Sequence, residues 1–308
     1  MLNLTFFMIV TPRDYPIAFY TIRPLVRLVQ SEPSFGASIY CNGLSKEQVS
    51  DILKMSRGCS RIVVKDNYEY LQSIKGSIKI GTVDSVTREL GGMEVRQGFY
   101  EPAGEIWSRE LVHLSADFVT LIDADFEILD DEFVKVMATQ IASEPRVAFY
   151  STDYSDDCTI FESYAQEEAK IAKRWHTWFC IYRRAALDKC HNFWYFEERD
   201  GKLPFKYDRS AMLQKILTER YEYVGASLSK TYSGQFLHYG AFAKNRSLKG
   251  MRLKFYRIIR IGRHNGWIHK HHLAPVAEIT RKLSNSMWSR FRLGRFDAER
   301  SRFPFEKD

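Results

Sequence analysis

Short apolar runs alternate with amphipathic segments through the first half of this 308-residue chain, and this alternation limits the fold more than any other feature. Runs with the length and composition of strands occupy residues 4–10, 37–42, 61–67, 117–123 and 146–152. Segments with helical periodicity occupy residues 16–30, 46–56, 104–115 and 131–143. Strands that alternate with helices in this way form a parallel sheet. We therefore predict an α/β, Rossmann-like, mostly parallel sheet with helices on both faces.

The second half of the chain is less regular. We predict helices over 159–174, 208–221 and 251–263, and strands over 176–184 and 228–240. The helix over 251–263 is basic and amphipathic, and the residues that follow it are predicted to be partly helical. Ser45 and Gln48 have the spacing of a capping box, which places the start of the helix over 46–56.

Composition excludes several classes of protein. The five cysteines are odd in number and contain no Cys-x-x-Cys pair, which argues against a zinc ribbon or a disulfide scaffold and favours a reducing, cytoplasmic location. No apolar window reaches the length of about 18 residues that a transmembrane helix needs. The apolar first ten residues lack a basic start and a cleavage site, so we interpret them as a strand rather than a signal peptide.

Positive charge is concentrated at the C-terminal end. Residues 244–308 contain 17 Lys and Arg against 5 Asp and Glu, whereas the whole chain contains 45 against 38. A basic amphipathic helix suits an anionic membrane surface, which would make the protein peripheral to a membrane. It equally suits a nucleic acid such as DNA, and a third alternative is that the helix packs its apolar side on the rest of the protein.

An acidic pair follows the fourth predicted strand in "DFVTLIDADFEILDDEF" (117–133). On a continuing strand, Asp123 and Asp125 would point to the same side. Two carboxylates that share a crevice repel each other unless a cation lies beside them, and Mg²⁺ and Mn²⁺ prefer such oxygen ligands. A metal site that binds a diphosphate is therefore one interpretation, and an acidic turn at the strand end is the other. We interpret the second acidic cluster, over 130–132, as the N-terminal cap of the next helix.

The order of these segments resembles the nucleotide-sugar-dependent glycosyltransferases of the GT-A fold, especially glycosyltransferase family 2. The resemblance covers roughly residues 1–250 and implies a catalytic domain with a nucleotide-binding half over 1–125 and an acceptor half over 126–250. Residues 251–308 would then be a basic, largely helical C-terminal extension. The chain departs from the family pattern at Tyr207, which precedes Asp208 where family members carry an acid.

The resemblance implies roles for individual residues of the nucleotide-binding half. Thr11 and Pro12 follow the first strand, where the chain of family members meets the nucleoside. Asp66 ends the third strand in "VVKDN", where the family places an Asp that hydrogen-bonds the base. Arg109 in "WSRE" is a candidate for contact with the nucleotide or diphosphate, although Glu110 replaces the usual Asn.

The later residues complete the implied site. His238 in "FLHYGAFAKN" resembles the late His of many members, and a neutral imidazole can complete a metal shell with Asp125. Lys244 and Arg246 would close over the diphosphate. Asp208 would be the general base, and the acidic stretch over 197–200 is its rival. His176 and Trp178 are candidates for lining the acceptor pocket, although aromatic residues in strands also serve as core.

The leading hypothesis is a glycosyltransferase that depends on Mn²⁺ or Mg²⁺ and moves one sugar from a UDP-sugar to a hydroxyl acceptor. The acceptor would be a glycan, a lipid-linked molecule or nucleic acid. Inversion with Asp208 as base is the preferred stereochemistry, and retention stays open. Alternatives are a phage-type glycosyltransferase that modifies hydroxylated DNA bases, a nucleotidyltransferase, and a nucleic-acid-binding protein without catalytic activity. The first strand runs into "TPRDYP", which lacks the glycines that a nucleotidyltransferase usually has there.

Overall fold

A computed structural model describes most of the first 239 residues. It covers residues 2–12, 14–69, 103–155, 158–160, 169–171, 174–190, 196–199, 202–206 and 211–239, together with 254, 257, 258 and 261. The chain divides into two compact units, Met1–His238 and Tyr239–Asp308. The first unit contains every strand described below. In the second unit, the four isolated positions at 254, 257, 258 and 261 are helical, and the rest of the predicted C-terminal extension lies outside the described residues.

Strands of the described residues are numbered in chain order. They are β1 Leu4–Val10, β2 Phe35–Cys41, β3 Ile62–Asp66, β4 Phe118–Asp123, β5 Phe126–Ile128, β6 Val147–Ser151, β7 Tyr154–Ser155, β8 Cys158–Ile160, β9 Ala169–Ile171, β10 Arg174–Trp175, β11 Phe179–Arg183, β12 Phe196–Arg199, β13 Lys202–Lys206, β14 Val224–Ser227 and β15 Phe236–His238.

The α-helices of the described residues are α1 Tyr15–Ser31, α2 Lys46–Ser56, α3 Ala103–Glu110, α4 Glu132–Ser143, α5 Arg184–Leu187 and α6 Ala211–Lys215. Short 3₁₀ segments occupy Leu111–His113 and Lys230–Gln235, and a π-helical turn, Ile216–Arg220, extends α6. Within the described residues, no helix combines the length and the apolar composition that crossing a membrane would require.

The main sheet is mostly parallel, as predicted. Its seven strands have the order β14-β6-β11-β4-β1-β2-β3. Strand β11 is antiparallel to both of its neighbours, β4 and β6, and the other pairings are parallel. The carboxyl ends of β1 to β4 therefore lie along one edge of the sheet, which is where ligands of open α/β sheets bind.

Helices cover both faces of this sheet because the strand side chains alternate between two apolar clusters. Phe6 and Met8 of β1 belong to the cluster that includes residues of α1, α2 and α4, whereas Phe7 between them belongs to the cluster that includes residues of α3 and α6. Burial of each large apolar side chain contributes about 1.5–3 kcal/mol. Helix α1 runs through Pro24, an internal proline that costs about 3 kcal/mol, because its buried face packs on the sheet.

The predicted capping box is present, since the Ser45 hydroxyl accepts the Gln48 N–H and the Gln48 side chain accepts the Ser45 N–H. The helix predicted over 159–174 is wrong for its described residues. Residues Cys158–Ile160 pair instead with Ala169–Ile171 as an antiparallel ladder, and Arg174–Trp175 pairs with Tyr154–Ser155. In these paired segments, strand pairing outweighs helical propensity, which is a weak preference.

Candidate metal site

Strand β4 delivers the first acidic side chain to the carboxyl edge of the sheet. Asp123 is its last residue and lies beside Ile9 of β1 in the parallel register. The Asp123 N–H donates to the Trp178 carbonyl oxygen at 2.8 Å, so the Asp123 backbone is hydrogen-bonded to the residue that directly precedes β11. The Asp123 carboxylate is about one-third exposed, with a side-chain exposure of 32%.

The chain turns immediately after Asp123 instead of continuing as a strand. Ala124 and Asp125 form this turn before β5 begins at Phe126. The buried Thr21 hydroxyl of α1 donates to the Ala124 carbonyl oxygen at 2.7 Å. This hydrogen bond holds the peptide between the two aspartates, and the turn, rather than strand alternation, brings their carboxylates together.

A short antiparallel ladder brings His238 to the acidic pair. Strand β15 pairs with β5, and His238 stands opposite Phe126, the residue that follows Asp125. His238 Nε2 lies 3.3 Å from Asp125 Oδ1 and 3.8 Å from Asp123 Oδ2. The His238 and Asp125 side chains are each 14% exposed, so both are more deeply buried than Asp123.

The three side chains fit a divalent cation. Each offers one ligand atom, and the three atoms all lie within 4.8 Å of one another. Around one ion with metal–oxygen distances of about 2.1 Å, adjacent ligand atoms are about 3 Å apart and opposite ones about 4 Å apart. The two distances from His238 Nε2 match this range. Two carboxylates with one imidazole suit Mn²⁺ and Mg²⁺, and the imidazole favours Mn²⁺ of the two.

A cluster of aromatic rings packs around the ladder of β5 and β15. Phe126 stacks on Phe236 of β15 at a centroid distance of 5.3 Å, and both rings contact Phe133 of α4. Phe179 of β11 contacts Phe126 and Phe133. Because β5 and β15 are short, this apolar cluster rather than backbone pairing alone holds His238 in register.

The second acidic cluster caps α4, but through residues other than the one at the N-cap position. Asp131 occupies that position and makes no capping hydrogen bond. Instead, the Asp130 side chain accepts the Glu132 N–H at 3.0 Å, and the Gln235 side chain accepts the Phe133 N–H at 2.9 Å. The cap therefore also ties α4 to the segment that leads into β15.

Three of the residues predicted for the nucleotide, Thr11, Pro12 and Asp66, lie at the same edge of the sheet. The Thr11 hydroxyl donates to Asp14 at 2.6 Å, and its carbonyl oxygen accepts the Asp14 and Tyr15 N–H groups, so Thr11 and Pro12 form the entry to α1. Asp66 ends β3, is exposed, and accepts the Tyr68 N–H at 3.0 Å. The structure thus brings these positions to the predicted edge.

Arg109 belongs to a charged cluster between the end of α3 and strands β2 and β3. Its guanidinium donates to Glu110 at 2.9 Å and to the Tyr40 hydroxyl at 2.6 Å, and Lys65 donates to the other Glu110 oxygen at 2.5 Å. Burial alone would raise the pKa of Glu110, but the hydrogen bonds and positive charges of Lys65 and Arg109 outweigh it and lower that pKa. Glu110, which stands where the resemblance expects Asn, therefore orients both cations.

Two features of this edge were not predicted from the sequence. The Asn67 side chain donates to the Asn42 side chain at 2.8 Å and accepts the Gly43 N–H at 2.9 Å, so it joins the ends of β2 and β3. The signal was present, because both asparagines directly follow a strand. The Lys65–Glu110 pair left no comparable signal, since its members are far apart in sequence. Asp208, Lys244 and Arg246 lie outside the described residues.

The chain is similar to solved structures of several enzymes. A mannosyltransferase from Pyrobaculum calidifontis in complex with GDP-Man and Mn²⁺ is 11% identical, with 74% of this chain and 55% of that chain covered and a TM-score of 0.40. Glucosyl-3-phosphoglycerate synthase from Mycobacterium tuberculosis in complex with Mn²⁺, UDP and phosphoglyceric acid is 12% identical, with coverages of 73% and 68% and a TM-score of 0.43.

A third solved structure, 4-diphosphocytidyl-2C-methyl-D-erythritol synthase, is 9% identical, with 85% of this chain and 98% of that chain covered and a TM-score of 0.41. The chain spans little more than half the length of the mannosyltransferase. No protein-family model matches the sequence, and no curated protein matches it.

Proposed function

We propose that this chain is a metal-dependent glycosyltransferase that moves one sugar from a nucleoside-diphosphate sugar to a hydroxyl acceptor. The observation that carries the proposal is the meeting of Asp123, Asp125 and His238 at the carboxyl edge of a mostly parallel sheet. A bound Mn²⁺ or Mg²⁺ would neutralise the diphosphate and stabilise the charge of the leaving group. The resemblance of residues 1–250 to family 2 supports a UDP-sugar as the donor.

The register of the sheet supports a donor that extends along this edge. Asp123, Ile9, Tyr40 and Lys65 lie side by side in neighbouring strands. Three interstrand spacings separate the first from the last of these residues, which is about 14 Å. A diphosphate held near Asp123 can therefore extend its nucleoside past Thr11 and Pro12 toward Asp66, where Arg109 and its cluster provide positive charge.

The acceptor side of the proposal rests on the sequence. Asp208 is proposed as the general base for an inverting transfer, with Lys244 and Arg246 as residues that neutralise the diphosphate. The basic region 251–308 is proposed to recruit the acceptor, either at an anionic membrane surface or on DNA. We also propose a cytoplasmic location, with the protein peripheral to the membrane if the acceptor lies at a membrane surface. Steep loss of transfer to a polynucleotide with rising salt would select DNA, whereas flotation with anionic vesicles would select the membrane.

The test combines nucleotide-sugar binding with metal dependence. A panel of UDP- and GDP-sugars is screened by thermal melting with and without Mn²⁺, because only a ligand of the native state raises the melting temperature. Hydrolysis or transfer is then measured for the donor that stabilises most. We expect Asp125→Ala and His238→Ala to lower the rate by two orders of magnitude or more.

Asp131→Ala is the matched control for these variants. It removes a nearby carboxylate that belongs to the turn before α4 and not to the proposed metal group. We expect it to keep the rate of the wild-type protein. Undiminished activity in Asp125→Ala, or in the presence of excess chelator, would refute the proposed role of the metal.

A nucleotidyltransferase is the second candidate, because acids at the carboxyl edge of a parallel sheet serve that reaction as well. The same protein distinguishes the two activities through their products. Release of pyrophosphate from a nucleoside triphosphate in the presence of a sugar phosphate, without release of UDP or GDP from any nucleotide sugar, would favour the second candidate over the first.

A further inference from the structure

Trp178 contacts two of the three residues of the proposed metal group. Its indole ring stacks on the His238 imidazole, with centroids 4.1 Å apart and planes inclined by 20°. Its carbonyl oxygen accepts the Asp123 N–H at 2.8 Å. Trp178 immediately precedes β11, the antiparallel strand beside β4, so one residue touches both the strand that carries Asp123 and the ring that completes the group.

A second imidazole covers Trp178. The His176 ring stacks on the indole at a centroid distance of 4.2 Å and an angle of 25°. Two imidazoles this close to one indole would overlap if they shared a face, so they lie on opposite faces. Each face of Trp178 is therefore stacked against an imidazole, which leaves less of the indole available for the acceptor-lining role predicted from the sequence.

The outer imidazole is itself held in place. The backbone N–H of His176 donates to the Asp153 carbonyl oxygen at 3.0 Å, and the Ser151 hydroxyl donates to the backbone carbonyl oxygen of His176. The His176 side chain lies 4.0 Å from the Asp153 carboxylate and is 16% exposed. His176, Trp178 and His238 thus form a three-ring stack that begins at His176, between β10 and β11, and ends at the proposed metal group.

On the basis of the proposed function, we infer that Trp178 is a positioning residue for the metal site. An imidazole can rotate about its side-chain bonds, and only a narrow range of orientations points Nε2 at both carboxylates. Stacking of the ring on a fixed indole restricts that rotation before the metal arrives. The Asp123 hydrogen bond restricts the second ligand through the same residue, so the stack preorganises the group and increases its affinity for the ion.

The direct test is the affinity of the chain for Mn²⁺ alone, measured by electron paramagnetic resonance of the free ion without nucleotide or acceptor. Trp178→Leu removes the aromatic face and is expected to raise the Kd by about 10-fold or more, the range typical of groups that orient a ligand. Trp178→Phe keeps a flat ring against His238 and is expected to stay within about threefold of the wild-type Kd.

Trp175→Leu is the matched control. Trp175 lies on the same segment but packs against Phe149 and Tyr154, and not against the metal group. We expect its Mn²⁺ affinity to equal that of the wild type even if its melting temperature falls. Equal loss of affinity in Trp175→Leu and Trp178→Leu would mean that general destabilisation, rather than positioning, explains the result, and would overturn the inference.

A double-mutant cycle with His238→Ala gives a second measurement, the coupling between Trp178 and His238 in the Mn²⁺ Kd. A merely structural role of Trp178 would produce no such coupling. If Trp178 acts through the imidazole, Trp178→Phe and Trp178→Leu should change the Kd little once His238 is absent. The same fold-change in both backgrounds would refute the inference. If Trp178→Leu does not fold, Trp178→Met, which also lacks the flat ring against His238, replaces it in the cycle.

The wild-type measurement separates this inference from the proposed function. If the wild-type chain binds neither Mn²⁺ nor Mg²⁺, alone or in the presence of UDP, the metal-dependent function itself fails. If the wild type binds Mn²⁺ and Trp178→Leu binds it equally well, the function stands and the positioning role of Trp178 is wrong.

Discussion

Gly225 lies where the main sheet has room for no side chain, and substitution with alanine tests the packing directly. It belongs to β14, an outer strand of the sheet that pairs with β6. A Cβ added at this position would lie 2.3 Å and 2.4 Å from two ring carbons of Phe149 and 2.8 Å from a ring carbon of Trp175. Carbon atoms in contact are about 3.5–4.0 Å apart, so the Phe149 ring would have to retreat by more than about 1 Å.

That retreat is opposed by the surroundings of Phe149. Its side chain is fully buried at 0% exposure and packs against Trp175 and Tyr182, with ring centroids at 5.1 Å and 5.9 Å. Overpacking of this kind costs about 1–3 kcal/mol. At about 2–4 °C for each kcal/mol in a domain of this size class, Gly225→Ala should lower the melting temperature by roughly 2–12 °C.

Gly234→Ala is the control, because a Cβ at Gly234 would meet no atom within 4 Å. Its free energy of unfolding should stay within about 0.5 kcal/mol of the wild type. Both variants are measured by thermal and urea unfolding under identical conditions. A Gly225→Ala protein that melts within 1 °C of the Gly234→Ala protein would show that the ring is not confined as described.

Three further predictions concern charge, capping and thiols. Glu110→Gln removes the partner of two cations and should cost about 1–2 kcal/mol at pH 7, since those cations remain partly solvated. Because the pKa of Glu110 is lowered in the folded protein, its contribution is present above its usual pKa of 4.5 and is lost as the pH falls through the folded value; the stability of the Gln variant should therefore fall less between pH 7 and acid. Asp130→Ala should destabilise α4 by about 1 kcal/mol in thermal unfolding, and Asp131→Ala, which loses no capping hydrogen bond, by less. Burial raises the pKa of three thiols to about 11–12, so a thiol reagent at pH 8 should modify them only after denaturant is added: Cys41, Cys180 and Cys190.

Local signals in the sequence predicted well the strands and helices that the structure describes among residues 1–125. Each strand there is an apolar run bounded by turn residues, and the Ser45–Gln48 capping box defines the first turn of α2. Such features depend on neighbours a few residues apart, which is the range over which sequence patterns report directly. The acidic pair was found for the same reason, because its position after an apolar strand is a local property.

Features that depend on distant pairing could not be predicted in the same way. Antiparallel pairing of β8 with β9 is found at described residues where local propensity favours a helix. The cap of α4 uses the side chain of Gln235, which no pattern around residue 131 reveals. A role for His238 beside Asp125 was suggested by a family resemblance, but its position opposite Phe126 and the stacking of Trp178 between two imidazoles were not suggested at all.

The late pairing of β15 with β5 has a consequence for the order in which the protein is made. Domains fold as synthesis proceeds, and the N-terminal part emerges first. When β4 and β5 leave the ribosome, the nascent chain already carries both acidic side chains, but the strand that brings the imidazole is still to be translated. A chain stalled before Phe236 would thus present two carboxylates without their nitrogen partner. Tight binding of a metal ion would therefore become possible only after this strand has been synthesised and has paired with β5.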